Sequence, residues 1–200
     1  MINNTLFLVR HGRTAWNEQG RFQGLTDVPL SPDGRADAEA NGRRLARHLA
    51  TGGALPGDLR LLSSPLARCV ETARIIARHL GLPATFVETD DRLAEAGFGH
   101  WEGLTTHEVK ARFPDERRAR KADRWNFAPS GGGSYADLEA RMKLFTHSLT
   151  AAALPIVVTH SGNLRVMIGM LEGLDQGASM RRAIPHDRVL CWSQGRFAEV

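Results

Sequence analysis

Polar clusters that contain histidine, arginine and serine follow three short apolar runs of the sequence. Residues 10–14 read Arg-His-Gly-Arg-Thr, residues 63–65 read Ser-Ser-Pro and are followed by Arg68, and residues 160–163 read His-Ser-Gly-Asn. In an open α/β sheet, ligands bind beyond the carboxyl ends of parallel strands, near the point where the strand order reverses. If the three runs are such strands, two histidines and at least two arginines converge at one edge of the sheet. That combination predicts a binding site for a small anion.

Arg68 also points to an anion. The Ser64-Pro65 pair is typical of a helix start, which places Arg68 in the first helical turn, where the helix dipole is already positive. An arginine at that position opposes the dipole unless an anion docks there and is bound by the backbone N–H groups and the guanidinium together. The alternative is a surface ion pair with Glu71, which contributes roughly 0–1 kcal/mol. The neighbouring Arg-His cluster favours the anion site.

Short β-like apolar runs alternate with segments of helical period, a pattern that predicts an α/β fold with a largely parallel sheet. Strands are predicted over residues 5–9, 59–62 and 155–159, with a weaker candidate at residues 85–87. Residues 189–192 and 196–200 are expected to pair as a hairpin across residues 193–195.

Serine-capped starts mark the helices between these strands. Residues 31–32 and 64–65 each read Ser-Pro, which places an N-cap serine before a proline at the first helical position, and Ser134 is a third candidate N-cap. A fourth helix is predicted over residues 163–171. The periodicity breaks down at residues 90–133, which are rich in glycine and proline. We expect that region to be an excursion from the sheet within a single domain that spans residues 1–200.

Composition excludes several classes of protein. The 200 residues contain only two cysteines, Cys69 and Cys191, so there is no disulfide framework, and neither has the spacing of a zinc site. The apolar run before Arg10 is too short for a signal peptide or a membrane span, and we therefore expect a cytoplasmic protein with no membrane partner. The formal net charge of +4 favours anionic partners. Nucleic acid is not expected among them, because the few aromatic residues are not interleaved with the cations as base stacking requires.

Six sequence blocks resemble the motifs of the histidine phosphatase superfamily, in the branch of cofactor-dependent phosphoglycerate mutase and its phosphatase relatives. LVRHGRTAWN at residues 8–17 resembles the signature. The others follow in the family's order and spacing: RFQGLTDVPLSPDG, SSPLARCVETA, LAEAGFGHWEG, PSGGGSYADLEARM and VVTHSGNLR. The resemblance implies a doubly wound, mostly parallel α/β sheet with helices on both faces. It also implies that residues 90–133 form a lid and part of the substrate pocket, and that no metal or other cofactor is used.

The resemblance further implies a role for each matching residue. His11 would be the nucleophile that accepts the phosphoryl group, and it must be uncharged to do so, a state that nearby arginines favour. Arg10, Arg68 and His160 would form the phosphate pocket. Glu95 would be the general acid that protonates the leaving oxygen and then the base that activates water. Further substrate-binding residues would be Asn17, Gln23, Gly24 and Ser161.

Each candidate also has a purely structural interpretation. His11 could be a satisfied histidine at a strand end, and His160 could cap the helix after Gly162. Glu102 competes with Glu95 for the role of general acid, although in the family it more often braces the turn. Ordinary surface, helix or packing roles are expected for the remaining histidines and for two tryptophans: His48, His79, His100, His107, His147, His186, Trp101 and Trp125.

Residues 95–103 favour a phosphatase over a mutase. They read Glu-Ala-Gly-Phe-Gly-His-Trp-Glu-Gly and resemble the phosphatase members, whereas the mutases tend to read Glu-Arg-His-Tyr-Gly and to be longer. We expect hydrolysis of a small phosphomonoester. The first alternative is mutase-type phosphoryl transfer, and the second is a non-catalytic module that binds phosphorylated ligands. Residues 132–134 read Gly-Gly-Ser where the phosphatases commonly have Gly-Glu-Ser. The sequence fits either a monomer or a dimer.

A basic run lies within the predicted excursion. Residues 112–124 contain six basic and three acidic side chains, a pattern typical of a solvated helical face. Because the excursion shapes specificity in the family, the run predicts tolerance of a substrate that carries a second anionic group.

Overall fold

One six-stranded sheet organises the computed structural model, which describes residues 5–149 and 153–200. The strands are β1 (Leu6–Arg10), β2 (Leu59–Ser63), β3 (Val87–Thr89), β4 (Leu154–Thr159), β5 (Val189–Ser193) and β6 (Arg196–Glu199). Their order across the sheet is β3-β2-β4-β1-β5-β6. The first four in that order are parallel to one another, whereas β5 is antiparallel to β1 and β6 is antiparallel to β5. The predicted α/β fold with a mostly parallel sheet is confirmed.

The predicted hairpin is confirmed, whereas the weak strand candidate is misplaced. Ser193 pairs with Arg196, and the turn residues Gln194 and Gly195 both have positive φ, as tight hairpin turns require. The third strand begins at Val87 instead of lying over residues 85–87, because Ala84–Phe86 forms a 3₁₀ turn.

Helices lie between the strands and in the excursion. They are α1 (Ala15–Glu18), α2 (Pro32–Thr51), α3 (Ala67–His79), α4 (Thr106–Arg112), α5 (Pro114–Ala122), α6 (Tyr135–Ser148), α7 (Ser161–Glu172) and α8 (Gln176–Arg181). Two predicted N-caps are confirmed: Ser31 accepts a hydrogen bond from Gly34 N at 3.1 Å, and Ser134 accepts one from Asp137 N at 3.1 Å. The helix predicted over residues 163–171 is also present, as α7.

The Ser64 N-cap prediction is wrong. Helix α3 begins at Ala67, and its N-cap residue Leu66 makes no side-chain cap. The cap comes from a distant loop instead, because the Asp27 carboxylate accepts the Ala67 N–H at 2.9 Å. Ser64 is thereby free to face the site at the end of β2. Arg68 is still in the first turn of the helix.

The core is built on both faces of the sheet. On one face Phe7 and Val9 of β1 pack with Leu45 of α2 and with α3. On the other face the alternate residues of β1 pack with Met142 and Phe145 of α6 and with α7. This alternation is the period-two pattern of a strand that is buried on both faces, and it confirms the doubly wound arrangement.

The excursion contains more regular structure than its composition predicts. Helices α4 and α5 lie within residues 90–133. No residue of α5 is fully buried, but Glu116, Arg117 and Arg120 are only partly exposed, so the predicted solvated face describes part of this helix and not all of it. Isolated bridges join Arg21 to Thr105 and Phe98 to Gly132. None of the helices in the described part of the chain combines the length and the hydropathy that crossing a membrane requires.

Candidate active site

The carboxyl ends of three neighbouring parallel strands form the candidate site. Arg10 lies opposite Thr159 where β1 pairs with β4. One residue further, His11 N donates to Thr159 O, and on the other side of β4 Ser64 N donates to Val158 O, each at 3.0 Å. The sheet register therefore brings the three polar clusters predicted from the sequence to one edge.

His11 is buried and its ring is held in one orientation. The side chain is 4% exposed, and Nδ1 lies 2.8 Å from Gly12 O. Because a carbonyl oxygen only accepts, Nδ1 carries the proton and Nε2 carries the free lone pair. Burial, followed by the charges of His160 and Arg10, lowers the pKa of His11 well below its usual value of 6.5. The imidazole is therefore uncharged at neutral pH and has an available lone pair.

Arg68 is a buried cation that is held by backbone carbonyls. Only 1% of it is exposed. Nη1 donates to Thr26 O at 2.9 Å, and Nη2 donates to Gly24 O at 2.7 Å and approaches His160 Nδ1 at 3.2 Å. Gly24 has a φ of 57°, and a Cβ there would collide with a neighbouring carboxylate, so the loop that presents this carbonyl requires glycine.

The surface ion pair considered for Arg68 does not form. Glu71 instead binds Arg35 Nε at 2.6 Å. The carboxylate of Asp27 approaches Arg68 Nη1 only to 3.8 Å. Carbonyl oxygens thus fix the position of the Arg68 guanidinium without neutralising its charge.

Arg10 is held in a similar way. Its Nη1 donates to Ile184 O at 2.8 Å, and its buried Nε has no partner among the described residues. Burial, followed by the charge of Arg165, lowers the pKa of Arg10 to about 10, so it stays a cation at neutral pH. The guanidinium retains donors for a bound anion.

His160 connects Arg68 to the end of β2. It is fully buried, and its ring lies 5.1 Å from that of His11 between centroids. Since Arg68 Nη2 donates to Nδ1, the neutral ring carries its proton on Nε2, which faces Ser64 Oγ at 2.8 Å. Burial, followed by Arg68, lowers the pKa of His160 well below 6.5. Although His160 precedes α7, its side chain makes no helix cap.

The two competing carboxylates have different surroundings. Glu95 lines the cavity, where Oε2 accepts from Gly162 N at 3.2 Å, and a Cβ at Gly162 would lie 2.3 Å from Oε1. Glu102 accepts from Leu25 N, Thr26 N and Phe98 N at 2.9–3.0 Å. Glu102 thus braces the loop that holds Arg68, while Glu95 faces the site.

All nine residues predicted for the site line one cavity of about 210 Å³. They are Arg10, His11, Asn17, Gln23, Gly24, Arg68, Glu95, His160 and Ser161. Thr14 Oγ1 donates to Gln23 Oε1 at 2.8 Å, which leaves the buried Gln23 Nε2 without a partner among the described residues. The lining contains several cations but only one carboxylate, so the cavity suits an anion.

The sequence interpretation missed His186. Its Nδ1 lies 2.6 Å from His11 O, and the two rings are 5.5 Å apart between centroids. Burial, followed by the charge of Arg10, lowers the pKa of His186 to about 4. The antiparallel pairing of Val9 with Val189 places the residues before β5 beside the end of β1, and this pairing is the signal that could have identified it.

Residues outside the predicted set form the rest of the lining: Arg21, Phe22, Phe98, Arg120, Arg124, Tyr135 and Arg165. Trp101 and Trp125 are packed in the interior, as expected. Across residues 5–149 and 153–200 there is no group of three or more His, Cys, Asp or Glu side chains placed to hold a metal ion.

Comparison with known proteins identifies relatives along nearly the whole chain. The family description of the histidine phosphatase superfamily (branch 1) matches residues 6–197. A 2,3-bisphosphoglycerate-dependent phosphoglycerate mutase of Brucella melitensis is 33% identical over 178 residues, which cover 86% of this chain and 84% of the mutase. A glucosyl-3-phosphoglycerate phosphatase of Mycolicibacterium vanbaalenii is 34% identical over 180 residues, which cover 84% of this chain and 74% of the phosphatase.

A solved structure shows the same architecture. The mycobacterial glucosyl-3-phosphoglycerate phosphatase in complex with VO3 superposes with a TM-score of 0.77 at 29% identity, covering 98% of this chain and 96% of that one. The named relatives thus include both a phosphatase and a mutase.

Proposed function

Because the chain belongs to the histidine phosphatase superfamily, we propose that it hydrolyses a small phosphorylated metabolite through a phosphohistidine formed on His11. The observation that supports this proposal most directly is the state of that imidazole. Its Nδ1 is tied to Gly12 O, its pKa is lowered by burial, and the cations Arg10 and Arg68 line the same cavity. A neutral imidazole with a free lone pair among cations is suited to attack a phosphoryl dianion.

In the first step the substrate phosphate binds between the guanidinium groups and His11. Phosphoryl transfer has a loose transition state whose charge is spread over the equatorial oxygens, so fixed cations supply much of the stabilisation. Arg10 and Arg68 supply them, with further N–H donors from Asn17, Gln23, Ser161 and the backbone at Gly24. His160 keeps Arg68 in place.

In the second step the bond between Nε2 of His11 and phosphorus forms as the bond to the leaving oxygen breaks. That oxygen takes a proton from Glu95, the carboxyl group that lines the cavity. Water then attacks the phosphohistidine and gives its proton to Glu95. Inorganic phosphate leaves, and His11 and Glu95 return to their starting states. We assign residues 90–133 the role of a wall and lid over this cavity.

A mutase is the second candidate, favoured by the Brucella relative at 33% identity. In a mutase the phosphoryl group returns to a substrate hydroxyl instead of passing to water. The loop at residues 95–103, which resembles those of the phosphatases, supports hydrolysis. Release of one inorganic phosphate per substrate distinguishes the two, since a mutase yields an isomer.

The test is hydrolysis of a chromogenic phosphomonoester in EDTA by the wild type, His11→Ala and His107→Ala. His107 is exposed on α4 and outside the cavity, so its variant is a matched control. We expect activity in the wild type and the control and none in His11→Ala. Quenching turnover should trap an acid-labile phosphoryl adduct on the wild type only. Full activity of His11→Ala would refute the proposal, and a wild type that binds phosphate without turnover would indicate a binding module.

A further inference from the structure

A buried asparagine fastens the segment that carries Glu95 to the helix that follows His160. Asn163 lies in the first turn of α7 and is fully buried. Its Nδ2 donates to Leu93 O at 2.7 Å and to Ala94 O at 3.0 Å. These two carbonyls immediately precede Glu95, so the Asn163 amide fixes the backbone from which the proposed general acid projects.

Thr159, the last residue of β4, supports the same contact from the sheet. Its Oγ1 donates to Leu93 O at 2.8 Å and lies 2.8 Å from Asn163 Nδ2. Because the hydroxyl hydrogen is used on Leu93 O, Thr159 Oγ1 accepts from Asn163. Both side chains are fully buried, so solvent has no access to these hydrogen bonds. The end of β4 and the start of α7 therefore hold the segment at Leu93 together.

The carboxylate of Glu95 is held by the same turn of α7. Oε2 accepts from Gly162 N at 3.2 Å, and Oε1 accepts from Ala96 N at 3.1 Å. A Cβ at residue 162 would collide with this carboxylate, so the close approach requires glycine. His160, Gly162 and Asn163 lie within four consecutive residues. One short segment thus sets both a wall of the phosphate pocket and the place of the acid.

Asn163 acts only as a donor in these contacts. Its Oδ1 is buried without a partner in the described part of the chain, and the reverse orientation of the amide would set Oδ1 against two carbonyl oxygens. A buried unpaired oxygen is unfavourable, and such a departure from local rules is expected where function requires it. An apolar side chain of similar size would remove that oxygen but would leave Ala94 O without its donor.

Proton transfer depends on this placement, whereas phosphate binding does not. The acid must lie within hydrogen-bond reach of the leaving oxygen, and a misplacement of about 1 Å can cost about a hundredfold in rate. Arg10 and Arg68 are anchored by the carbonyls of Ile184, Thr26 and Gly24, which belong to other segments. A shift of residues 93–95 would therefore move the acid and leave the phosphate where it is.

We propose that Asn163 is a positioning residue for the general acid, and that it holds Glu95 where proton transfer to the leaving oxygen requires it. This assignment rests on the proposed phosphatase function. Asn163 is outside the cavity lining, so it acts through Glu95 and touches neither the phosphate nor the leaving group. Thr159 completes the anchorage at Leu93 O.

Dependence on the leaving group tests the assignment, because a merely structural role would lower the rate of every ester alike. The substrates are phenyl phosphate and 4-nitrophenyl phosphate, which differ only in a nitro group remote from phosphorus. Phenolate is strongly basic, with a pKa of about 10 for its acid, and needs a proton as it leaves, whereas nitrophenolate is far less basic. In Asn163→Leu we expect kcat/KM to fall at least about tenfold for phenyl phosphate and less than about threefold for the nitrophenyl ester.

Two further variants complete the set. Thr159→Val removes one hydroxyl at nearly constant volume and should show the same dependence to a smaller extent, because the contacts of Asn163 remain. Thr146→Val is the matched control, since this buried hydroxyl donates only to Met142 O and Lys143 O within α6. It should keep the wild-type ratio of the two efficiencies. Thermal melting checks folding, and Thr159→Val decides by the same ratio if Asn163→Leu does not fold.

A double variant separates positioning of Glu95 from any other effect. Glu95→Gln has no proton to give, so adding Asn163→Leu should cause no further loss for phenyl phosphate. A further loss there, or equal losses for the two esters in Asn163→Leu, would overturn the assignment. Hydrolysis of both esters with the wild-type ratio in Asn163→Leu would leave the phosphatase standing and remove the positioning role. A wild type that hydrolyses neither ester would refute the phosphatase itself.

Discussion

The two ends of the cavity hold their cations in different ways. We call Arg10, His11, Arg68 and His160 the phosphate end, and Phe22, Arg120, Arg124 and Tyr135 the distal end; all eight line the cavity. At the phosphate end, backbone carbonyls from Ile184, Thr26 and Gly24 fix the guanidinium groups, and the strand register fixes the histidines. At the distal end, aromatic rings support Arg120, and the carrying helix α5 has no buried residue of its own. Arg68 has Asp27 at 3.8 Å, whereas no carboxylate in the described ranges lies at ion-pair distance from Arg10, Arg120 or Arg124.

The two kinds of support suit two different tasks, stabilisation of the transition state and recognition of the substrate's tail. A carbonyl that accepts from a guanidinium places it to within a fraction of an ångström, which transition-state stabilisation requires. A ring face tolerates sliding of the cation, which is sufficient for recognising the tail of a substrate. Changes at the phosphate end should therefore affect every substrate, whereas changes at the distal end should affect only charged tails.

The largest expected effect is that of Arg68→Gln. We expect a loss of about a thousandfold in kcat/KM, as for other fixed donors to a transition state, and the loss should be equal for a substrate with a neutral tail and one with a carboxylated tail. Arg68→Lys should restore little, because an ammonium cannot reproduce the two-carbonyl anchorage. Steady-state kinetics on both substrates, with melting curves for folding, provide the measurement. A loss confined to the carboxylated substrate would erase the distinction between the two ends.

Glu95→Gln should produce the next largest effect, and it should depend on the leaving group. For an alkyl phosphate we expect a drop of about a hundredfold in kcat/KM, which reports formation of the phosphohistidine and not the later hydrolysis in which Glu95 is the base, within the range of general acid catalysis. A nitrophenolate leaves without a proton, so its ester should lose far less. Glu102→Gln is the comparison, since it should lower the melting temperature by loosening residues 25–26 without dependence on the leaving group. If Glu102→Gln shows that dependence and Glu95→Gln does not, the assignment of the acid is reversed.

Lowering the pH should reduce the protein's free energy of unfolding through the buried histidines near His11. The distal end should not contribute to that loss. The folded protein keeps His11, His160 and His186 neutral, with pKa values below the 6.5 of an unfolded chain. Below pH 6.5 the unfolded state therefore binds more protons, and stability falls as the pH is lowered. With a folded pKa of about 4, His186 should account for about 2 kcal/mol of this loss at pH 5.

Denaturant titrations at neutral pH and at about pH 5 measure that loss. His186→Asn keeps an N–H donor for His11 O and should show a smaller loss than the wild type. Arg120→Gln should lose as much as the wild type, because it removes no group that titrates in this range. An equal loss in His186→Asn would show that His186 is not among the histidines that destabilise the protein in acid.

Arg124→Gln should have the smallest effect. Its side chain is exposed, so we expect a rise of about threefold in KM for the carboxylated substrate and none for the neutral one. Raising the salt from about 0.05 M to about 1 M should abolish that difference by screening. The part of the preference for the carboxylated substrate that depends on the partly buried Arg120 should largely survive. Equal sensitivity of both arginines to salt would mean that the distal end is only a diffuse positive surface.

Local patterns in the sequence were accurate where a few neighbouring residues decide the structure. The Ser-Pro pair at residues 31–32 gave the start of α2, and apolar runs gave β1, β2 and β4 within a residue or so. The same pair at residues 64–65 failed, because the Asp27 carboxylate from a remote loop caps α3 instead. Nothing within the helix sequence encodes that contact.

The residues of the candidate site also fall into two groups, those that local motifs predict and those that only tertiary packing places. The nine predicted residues all line one cavity. Arg10, His11, Arg68, His160 and Ser161 do so because they lie at or just beyond strand ends, which a parallel sheet aligns. Their catalytic roles stay predictions. His186 was missed because its place depends on an antiparallel pairing between chain segments more than 170 residues apart. Arg120 could not be distinguished from the other cations of its run, since only the packing of α5 on Phe22 and Trp101 turns it inward.

The sequence by itself determined the family, the strand ends that carry the reactive groups and the basic character of the excursion, because motif identity and periodicity are properties of short segments. Only the tertiary structure decided which histidine tautomer is present, which carboxylate faces the cavity and which arginine of the basic run turns toward Phe22 and Trp101. Those three outcomes depend on partners that come from remote segments, and burial and pairing are set only when those segments pack together.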